Sequence, residues 1–299
     1  MRKSIIFGLF NLALIIIVFG SYVIVAQTVI TGEWTANSKG EKYDKIHLSF
    51  ERRTEKGGKN QHGTSFAYED LQGLTRESSQ NGKVNFRLVR EAGTIECEGS
   101  FTNGEGSGTF RFTANQSFVD AMRSRGFDFE RSSSSKHEGI PEDRLFSAAA
   151  LNVTTALADE LISANLGTLD IGDLFKAAIF KIDGKFIAEM KATGFPNLGM
   201  EDLVKARIFK IDADYVRQIH GMGFENEGFE GLVKFRIFKV TPEFLNELKS
   251  EGFGDMRAED VVKFRIFKID TAFIREARAD DPNVTVEQLV RRRIGVGKR

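Results

Sequence analysis

The chain has 299 residues, of which 41% are hydrophobic and 28% are charged, a composition typical of a folded protein and not of a disordered one. Lys and Arg together number 42, as do Asp and Glu, so no net field attracts nucleic acid or an anionic membrane. We therefore expect no nucleic-acid partner. The single cysteine, Cys97, excludes an intramolecular disulfide and lacks the partners of a thiolate metal site.

The first 26 residues have the layout of a targeting segment. Arg2 and Lys3 precede an apolar run from Ile5 to Val25, and Ala26 follows it. This layout is typical of a cleaved secretory signal peptide, while an uncleaved membrane anchor formed by residues 5–26 is the alternative. Both interpretations predict a periplasmic or secreted protein. If the segment is uncleaved, it anchors the protein in the inner membrane, and we expect no other contact with the membrane.

Residues 28–115 alternate apolar with polar side chains at a period of two, which is typical of strands with one buried face. The apolar positions are Ile46, Leu48, Phe50, Val84, Phe86, Leu88, Ile95, Cys97, Phe101, Phe110 and Phe112. Turn signals at 91–93 and 103–106 predict an antiparallel β-meander of about five or six strands. The opening Gly32-Glu33-Trp34 resembles the start of lipocalin-like barrels, which would imply a small ligand cavity; a filled core is the alternative.

A tripeptide that recurs at fixed spacing indicates structural repeats in the C-terminal half. Copies of Ile-Phe-Lys start 29 residues apart, at Ile179, Ile208, Ile237 and Ile266. The first helix of each unit is predicted to open at an N-cap residue, namely Asp183, Asp212, Thr241 or Asp270. It is predicted to end where glycine adopts the left-handed conformation, at Gly194, Gly223 or Gly252. The second helices are predicted to begin near Asp170, Gly199, Gly228, Arg257 and Thr285.

Degenerate copies extend this pattern in both directions. Thr154–Leu166 fits an earlier first helix, and Pro141–Leu151 fits the second helix before it. Because helices this short are marginal alone, they are expected to stabilise one another by stacking. We predict a two-part α+β chain: an antiparallel β-meander over 28–115, a helix and serine-rich linker over 116–140, and an α-solenoid-like array of 29-residue two-helix repeats over 141–299.

The unit Thr241–Ile266 resembles repeats of bacterial exported proteins, some of which occur within or beside beta-lactam-sensor-type membrane zinc metallopeptidases. The segments Arg90–Thr94 and Phe110–Phe127 resemble the region that precedes such repeats. The metallopeptidase motif of two histidines separated by Glu-x-x is absent, since no second histidine follows His137-Glu138 at that spacing. The resemblance therefore implies an exported sheet-plus-repeat protein, without peptidase activity.

No residue pattern in the sequence predicts catalysis, a metal site or a cofactor. The four histidines lie in different local contexts without ligand spacing: His47, His62, His137 and His220. Ser133 and Lys136 match the Ser-x-x-Lys pattern of penicillin-recognising enzymes, but they lie in a serine run without the companion Lys-Thr-Gly motif. We therefore expect a protein that is not an enzyme and that uses no metal or cofactor.

The helical wheel of the second helices indicates a candidate interaction strip. At about 100° per residue, Phe209 falls nearly opposite the arc that contains Leu203 and Ile208. The strip consists of Phe180, Lys181, Phe209, Lys210, Phe238, Lys239, Phe267 and Lys268. Packing of these phenylalanines between repeats is the alternative.

Three arginines recur inside the apolar arc of the same helices, at Arg207, Arg236 and Arg265. A guanidinium at this position stays charged and needs a partner to offset the loss of its hydration. We therefore predict that these arginines are partly buried and paired with carboxylates of adjacent repeats.

The repeat array favours a function in binding, because stacked repeats form extended surfaces. We expect a non-enzymatic exported interaction or scaffolding protein that binds a protein or cell-envelope component. The alternative is a small-ligand carrier or a hydrolase centred on the β domain. A deep apolar pocket lined by convergent polar groups within residues 28–115 would favour that alternative.

Overall fold

The computed structural model describes residues 29–39, 43–53, 59–131 and 141–295. The predicted signal peptide or anchor lies outside the described residues, as does the serine-rich linker with Ser133, Lys136 and His137. The described chain is an α+β protein, in which a seven-stranded antiparallel sheet within residues 29–114 is followed by twelve α-helices.

The strands of the described sheet are β1 (Val29–Asn37), β2 (Lys45–Arg53), β3 (Lys59–Ala67), β4 (Leu71–Gln72), β5 (Gly82–Arg90), β6 (Gly93–Thr102) and β7 (Glu105–Ala114). Their spatial order is β3-β2-β1-β7-β6-β5-β4. Consecutive strands pair as in a meander within β1–β3 and within β4–β7, and the pairing of the first strand with the last was not predicted. Two runs of consecutive strands therefore meet at β1 and β7, and neither of these strands is an edge. Strand β3 lacks apolar alternation, so its sequence does not predict it.

The α-helices of the described chain are α1 (Gln116–Arg123), α2 (Pro141–Ala150), α3 (Thr155–Ser163), α4 (Ile171–Phe180), α5 (Gly184–Ala192), α6 (Met200–Ile208), α7 (Ala213–Ile219), α8 (Phe229–Ile237), α9 (Pro242–Ser250), α10 (Ala258–Ile266), α11 (Thr271–Asp280) and α12 (Val286–Arg293). The odd-numbered helices from α3 onward correspond to the predicted first helices. The even-numbered helices correspond to the second.

Local capping chemistry sets the ends of these helices, and the predicted caps are confirmed. The side chain of Asp212 accepts a hydrogen bond from the N–H of Tyr215 at 2.8 Å, which satisfies one of the free donors of the first turn of α7. The equivalent side chains at the other first-helix starts do the same: Thr154, Asp183, Thr241 and Asp270. Glycines with positive φ follow the odd-numbered helices, as predicted: Gly194, Gly223 and Gly252.

The buried face of the sheet is built around Trp34, which is fully buried. Its ring lies 5.2 Å from that of Phe86 and 5.7 Å from that of Phe101, and its indole N–H donates to the carbonyl oxygen of Glu98 at 3.2 Å. Glycine opposite the indole makes this packing possible, since a Cβ at Gly99 would lie 2.6 Å from Cζ2 of Trp34. The described residues around Trp34 therefore pack closely on its ring.

Helix α2 joins the sheet to the helices by packing across β6 and β7. The ring of Phe146 stacks on that of Phe110 with centroids 5.0 Å apart and meets Phe50 and Phe112 edge-on. Such ring pairs are among the larger contributions to a core. The sheet and the first helices consequently share one hydrophobic core.

Several helices contact the next helix of the same kind. Odd-numbered helices touch in the pairs α1–α3, α3–α5 and α5–α7, and even-numbered helices touch in the pairs α4–α6, α8–α10 and α10–α12.

Among the described helices, none alone has the length and apolar character needed to cross a bilayer. The two helical segments Asp143–Ala150 and Thr155–Ser163 reach that length only together, across a bend of 87°.

Candidate interaction surface

The Ile-Phe-Lys tripeptides lie where even-numbered helices end. Helix α6 ends at Ile208, Phe209 is the C-cap, and Lys210 has a φ of 53°, in the left-handed region. The N–H of Ile211 donates to the carbonyl oxygen of Ala206 at 2.8 Å, which completes a Schellman cap. The equivalent lysines have the same backbone conformation: Lys181 (φ 54°), Lys239 (φ 54°) and Lys268 (φ 53°).

Lysine is an unusual residue for this conformation, which glycine and asparagine normally occupy. Asn152 has a φ of 57° at the position 29 residues before Lys181. For a residue with a side chain, the left-handed region costs about 1–2 kcal/mol, of which a cation at a helix C-terminus recovers about 0.3–1 kcal/mol. We call Lys181, Lys210, Lys239 and Lys268 the lysine series. All are exposed, and none forms a salt bridge within the described ranges.

The phenylalanines of the candidate strip are half-buried and pack against the core: Phe180, Phe209, Phe238 and Phe267. The isoleucines before them are exposed, with exposed fractions of 54% at Ile179, 53% at Ile208, 50% at Ile237 and 47% at Ile266. We call these four the isoleucine series. The helical wheel was wrong in placing Ile208 in the buried arc. Because α6 ends at that residue, the chain leaves the helix and Phe209 packs back against the core.

The arginines of the even-numbered helices are half-buried, as predicted, but they bind carbonyl oxygens and not carboxylates. Nη2 of Arg236 donates to the carbonyl oxygen of Lys210 at 2.6 Å. Arg207 donates in the same way to Lys181, and Nε of Arg265 donates to Phe238 at 3.2 Å. The prediction of carboxylate partners is corrected because carbonyls at the preceding helix end have no partner within that helix.

Each of these guanidinium groups also covers an aromatic ring of the intervening odd-numbered helix. The guanidinium carbon lies 3.6 Å from the ring centroid for Arg207 over Phe186, 3.6 Å for Arg236 over Tyr215 and 4.6 Å for Arg265 over Phe244. A cation over a ring face is attracted by the ring quadrupole. One arginine therefore connects three successive helices.

Ion pairs join neighbouring even-numbered helices, from a lysine in the second half of one helix to a glutamate in the first turn of the next. Lys176 pairs with Glu201, and Lys205 pairs with Glu230. The hydrogen bond from each lysine to its glutamate raises the pKa of that lysine. Both glutamate side chains are well exposed, at 71% and 62%. This part of the helix face is consequently close to neutral, in contrast to the lysine series.

A cleft of about 340 Å³ opens between the ends of α8 and α10. Phe238, Lys239, Phe264 and Lys268 lie in its wall, together with the acidic groups Glu247 and Asp270. The carboxylate of Asp270 already accepts the N–H of Phe273, which caps α11. The cleft thus combines the half-buried ring of Phe238, two lysines of the lysine series and two acidic side chains.

A second polar cluster lies in the β domain, where α2 meets β3. Nε2 of His62 lies 2.9 Å from Oγ of Ser147, and Ser147 also donates to the carbonyl oxygen of Asp143 at 2.7 Å. Arg52 pairs with the Asp143 carboxylate. Burial lowers the pKa of His62, while the negative charge of Asp143 acts in the opposite direction. The imidazole is therefore neutral near pH 7 and can donate or accept a hydrogen bond at Ser147.

Other candidate chemistry finds little support in the described part of the chain. No group of three or more His, Cys, Asp or Glu side chains that could hold a metal ion occurs there. Cys97 is buried, and burial raises the pKa of its thiol, so it is not a reactive thiolate. His47 and His220 do not join His62 in a common site.

Comparison of the chain with protein-family models, with curated proteins and with solved structures finds no match.

Sequence reasoning did not find two of these features. The exposure of the isoleucine series was not predicted, because isoleucine normally lies on the buried face of a helix. The sequence position that could have indicated it is the last helical residue, immediately before the half-buried C-cap phenylalanine. The contact between His62 and Ser147 joins residues far apart in the sequence, and no local pattern connects them.

Proposed function

We propose that this chain is an exported, non-enzymatic interaction or scaffolding protein, and that it binds a protein or cell-envelope component through the helices of its C-terminal half. We further propose that these helices form an α-solenoid-like array of two-helix units. The contacts between helices of the same kind and the recurring arginine contacts support that arrangement, because they repeat at the interval of the sequence repeat.

The observation that carries the proposed function is the isoleucine series beside the lysine series. Among the described residues, nine large hydrophobic side chains are exposed, and four of them are Ile179, Ile208, Ile237 and Ile266. Scattered exposed apolar residues are normal, but a concentration of them at equivalent helix ends favours an interaction site. The resemblance to exported repeat proteins is consistent with this proposal and adds no catalytic role.

Site-specific photo-crosslinking tests the proposed function. The photoreactive residue p-benzoylphenylalanine would replace Ile208 in the whole protein, expressed in its native cell envelope. We expect a discrete cross-linked species. The matched control is Ile162, which is 45% exposed but lies on α3, away from the even-numbered helix ends. Equal cross-linking from both positions, or none from Ile208, would contradict the proposal.

The hydrolase alternative has one observation in its favour, the contact of His62 with Ser147. A nucleophilic serine needs its proton directed at a base, whereas the Ser147 hydroxyl donates to the carbonyl oxygen of Asp143. A fluorophosphonate probe separates the two functions: labelling of the wild-type protein that disappears in Ser147→Ala would support a hydrolase, and we expect none.

A further inference from the structure

We propose that the surface formed by the lysine and isoleucine series binds an extended acidic polypeptide segment with apolar side chains. The segment would lie along the C-terminal ends of α4, α6, α8 and α10, its carboxylates on the lysines and its apolar side chains on the isoleucines. This inference rests on the proposed function and specifies the partner of the same surface.

The backbone conformation of the lysine series is the first reason. Asn152 shows that asparagine fits the same cap in this chain, with a φ of 57°. Lysine is less compatible with left-handed backbone than glycine or asparagine, yet it occupies the cap at four successive positions. Strained positions persist where the side chain has a role. The interaction of the ammonium with the helix C-terminus offsets only part of the backbone cost, and we assign to the exposed ammonium the further role of binding an anionic partner.

The second reason is that the lysine series is confined to the helix ends. This confinement favours an extended polypeptide over a membrane surface as the partner. Glu201 and Ile208 lie on the same face of α6, separated by seven residues or about 10 Å. A broad anionic membrane would also cover the zone of Glu201 and Glu230, whose pairs with Lys176 and Lys205 leave no net positive charge to attract it. A single extended chain that follows the helix ends contacts the lysines without covering that zone.

The third reason is the exposed isoleucine series, because a partner that binds by charge alone would leave these apolar side chains in water. Each member of the isoleucine series lies two residues before a member of the lysine series, so each of these helix ends carries one exposed apolar and one exposed cationic side chain. An extended polypeptide directs every second side chain to the same face, so a segment with acidic and apolar residues two positions apart can contact both series. The cleft between Lys239 and Lys268 adds the half-buried ring of Phe238, against which an apolar side chain can lie, although Glu247 and Asp270 also line the cleft.

Fluorescence anisotropy with a labelled peptide of repeating sequence Glu-Ser-Leu-Ser, which in an extended conformation carries glutamate and leucine on one face, tests the inference. We expect saturable binding to the whole protein that weakens as salt rises. The double variant Lys210→Asn, Lys239→Asn should bind about tenfold more weakly. It should melt no lower than the wild type, because asparagine tolerates left-handed backbone. Ile208→Ser with Ile237→Ser should weaken binding by about fivefold.

Matched controls remove the same amount of charge elsewhere. Lys185→Gln with Lys249→Gln changes two exposed lysines of odd-numbered helices and should leave the peptide affinity within about twofold. A peptide in which serine replaces leucine should bind weakly. Vesicles of phosphatidylglycerol and phosphatidylcholine should not compete with the acidic peptide.

Three outcomes would overturn the inference: unaltered peptide affinity in Lys210→Asn, Lys239→Asn; an equal loss in the control variant; or vesicles that displace the peptide. If position 208 cross-links to a partner while the acidic peptide does not bind, the inference fails and the proposed function stands. If the peptide binds as expected and position 208 cross-links to nothing in the cell envelope, the proposed function fails.

Discussion

The guanidinium carbon of Arg236 lies 3.6 Å from the centroid of the Tyr215 ring, while Nη2 of the same side chain donates to the carbonyl oxygen of Lys210 at 2.6 Å. Arg236→Met keeps an apolar stem but removes both interactions. We expect the free energy of unfolding, measured by urea denaturation, to fall by about 1–2 kcal/mol. Arg217→Met is the control, since Arg217 forms only an exposed pair with Asp214, and its effect should stay below about 0.5 kcal/mol. Equal effects would contradict the assigned role of Arg236.

The hydroxyl of Tyr215 is buried and has no hydrogen-bond partner among the described residues. Burial raises the pKa of this phenol to about 12, with the charge of Arg236 acting against the shift. The equivalent positions of neighbouring units are Phe186 and Phe244. We expect Tyr215→Phe to raise the free energy of unfolding by about 1 kcal/mol, because it removes a buried polar group without a partner. A lower melting temperature in this variant would show that the hydroxyl is satisfied after all.

Alanine substitutions at two glycines after α7 distinguish the cost of a left-handed backbone from the cost of steric crowding. Gly223 has a φ of 97°, and a Cβ added there meets no atom within 4 Å. Gly223→Ala should therefore destabilise the protein by about 1 kcal/mol through backbone conformation alone. Gly221 also has free space at its Cβ position but no positive φ, so Gly221→Ala should not destabilise. Thermal melting of the two variants checks the difference, and indistinguishable melting temperatures would be inconsistent with the cap.

The glycine opposite Trp34 predicts a crowding effect in the sheet. A Cβ at Gly99 would lie 2.6 Å from Cζ2 of Trp34 and 2.2 Å from the carbonyl oxygen of Ser107. We expect Gly99→Ala to lower the free energy of unfolding by about 1–3 kcal/mol. At Gly63 in β3, the nearest atoms to an added Cβ are 3.4 Å away, so Gly63→Ala serves as the control. Denaturation followed by Trp34 fluorescence gives both values; equal stability of the two variants would refute the tight packing.

Acidification should destabilise the junction of sheet and helices through His62. Burial lowers the pKa of the folded-state imidazole, against the opposing charge of Asp143, so the unfolded chain takes up the proton more readily. The contribution of His62 to stability is therefore complete above the unfolded pKa of about 6.5 and is lost as the pH falls through the lower folded pKa.

Nuclear magnetic resonance titration measures this pKa directly. The groups around His62 are Ser147, Phe146 and the Asp143 carboxylate with its partner Arg52. Asp143→Asn should lower the pKa of His62 further, because it removes the charge that favours the imidazolium. His62→Gln should flatten the pH dependence of stability below pH 6.5. A His62 pKa above the unfolded value would reverse both expectations.

Local chemistry could be predicted from the sequence, whereas long-range pairing could not. The N-cap at Asp212 and the left-handed Gly223 depend on side chains within one helical turn, so the pattern around each residue suffices to place them. Pairing of β1 with β7 joins segments separated by most of the β domain, and alternation alone does not choose between it and a meander.

The candidate surface was predictable only in part, for a similar reason. The lysines followed from their recurrence, but the wheel assumed that the helix continues through Phe209, and the helix ends one residue earlier. The arginine partners were misjudged because carbonyl oxygens at a helix end carry no sequence signal, although they accept hydrogen bonds as carboxylates do.

The repetition of the arginine contacts also bears on how such a chain can change over generations. Arg236 relates to Tyr215 and Lys210 as Arg207 relates to Phe186 and Lys181. A gene that gains or loses 29 codons in frame at this point therefore rebuilds the same contacts from equivalent residues. The number of exposed lysine and isoleucine positions then changes with the number of 29-residue copies in the gene.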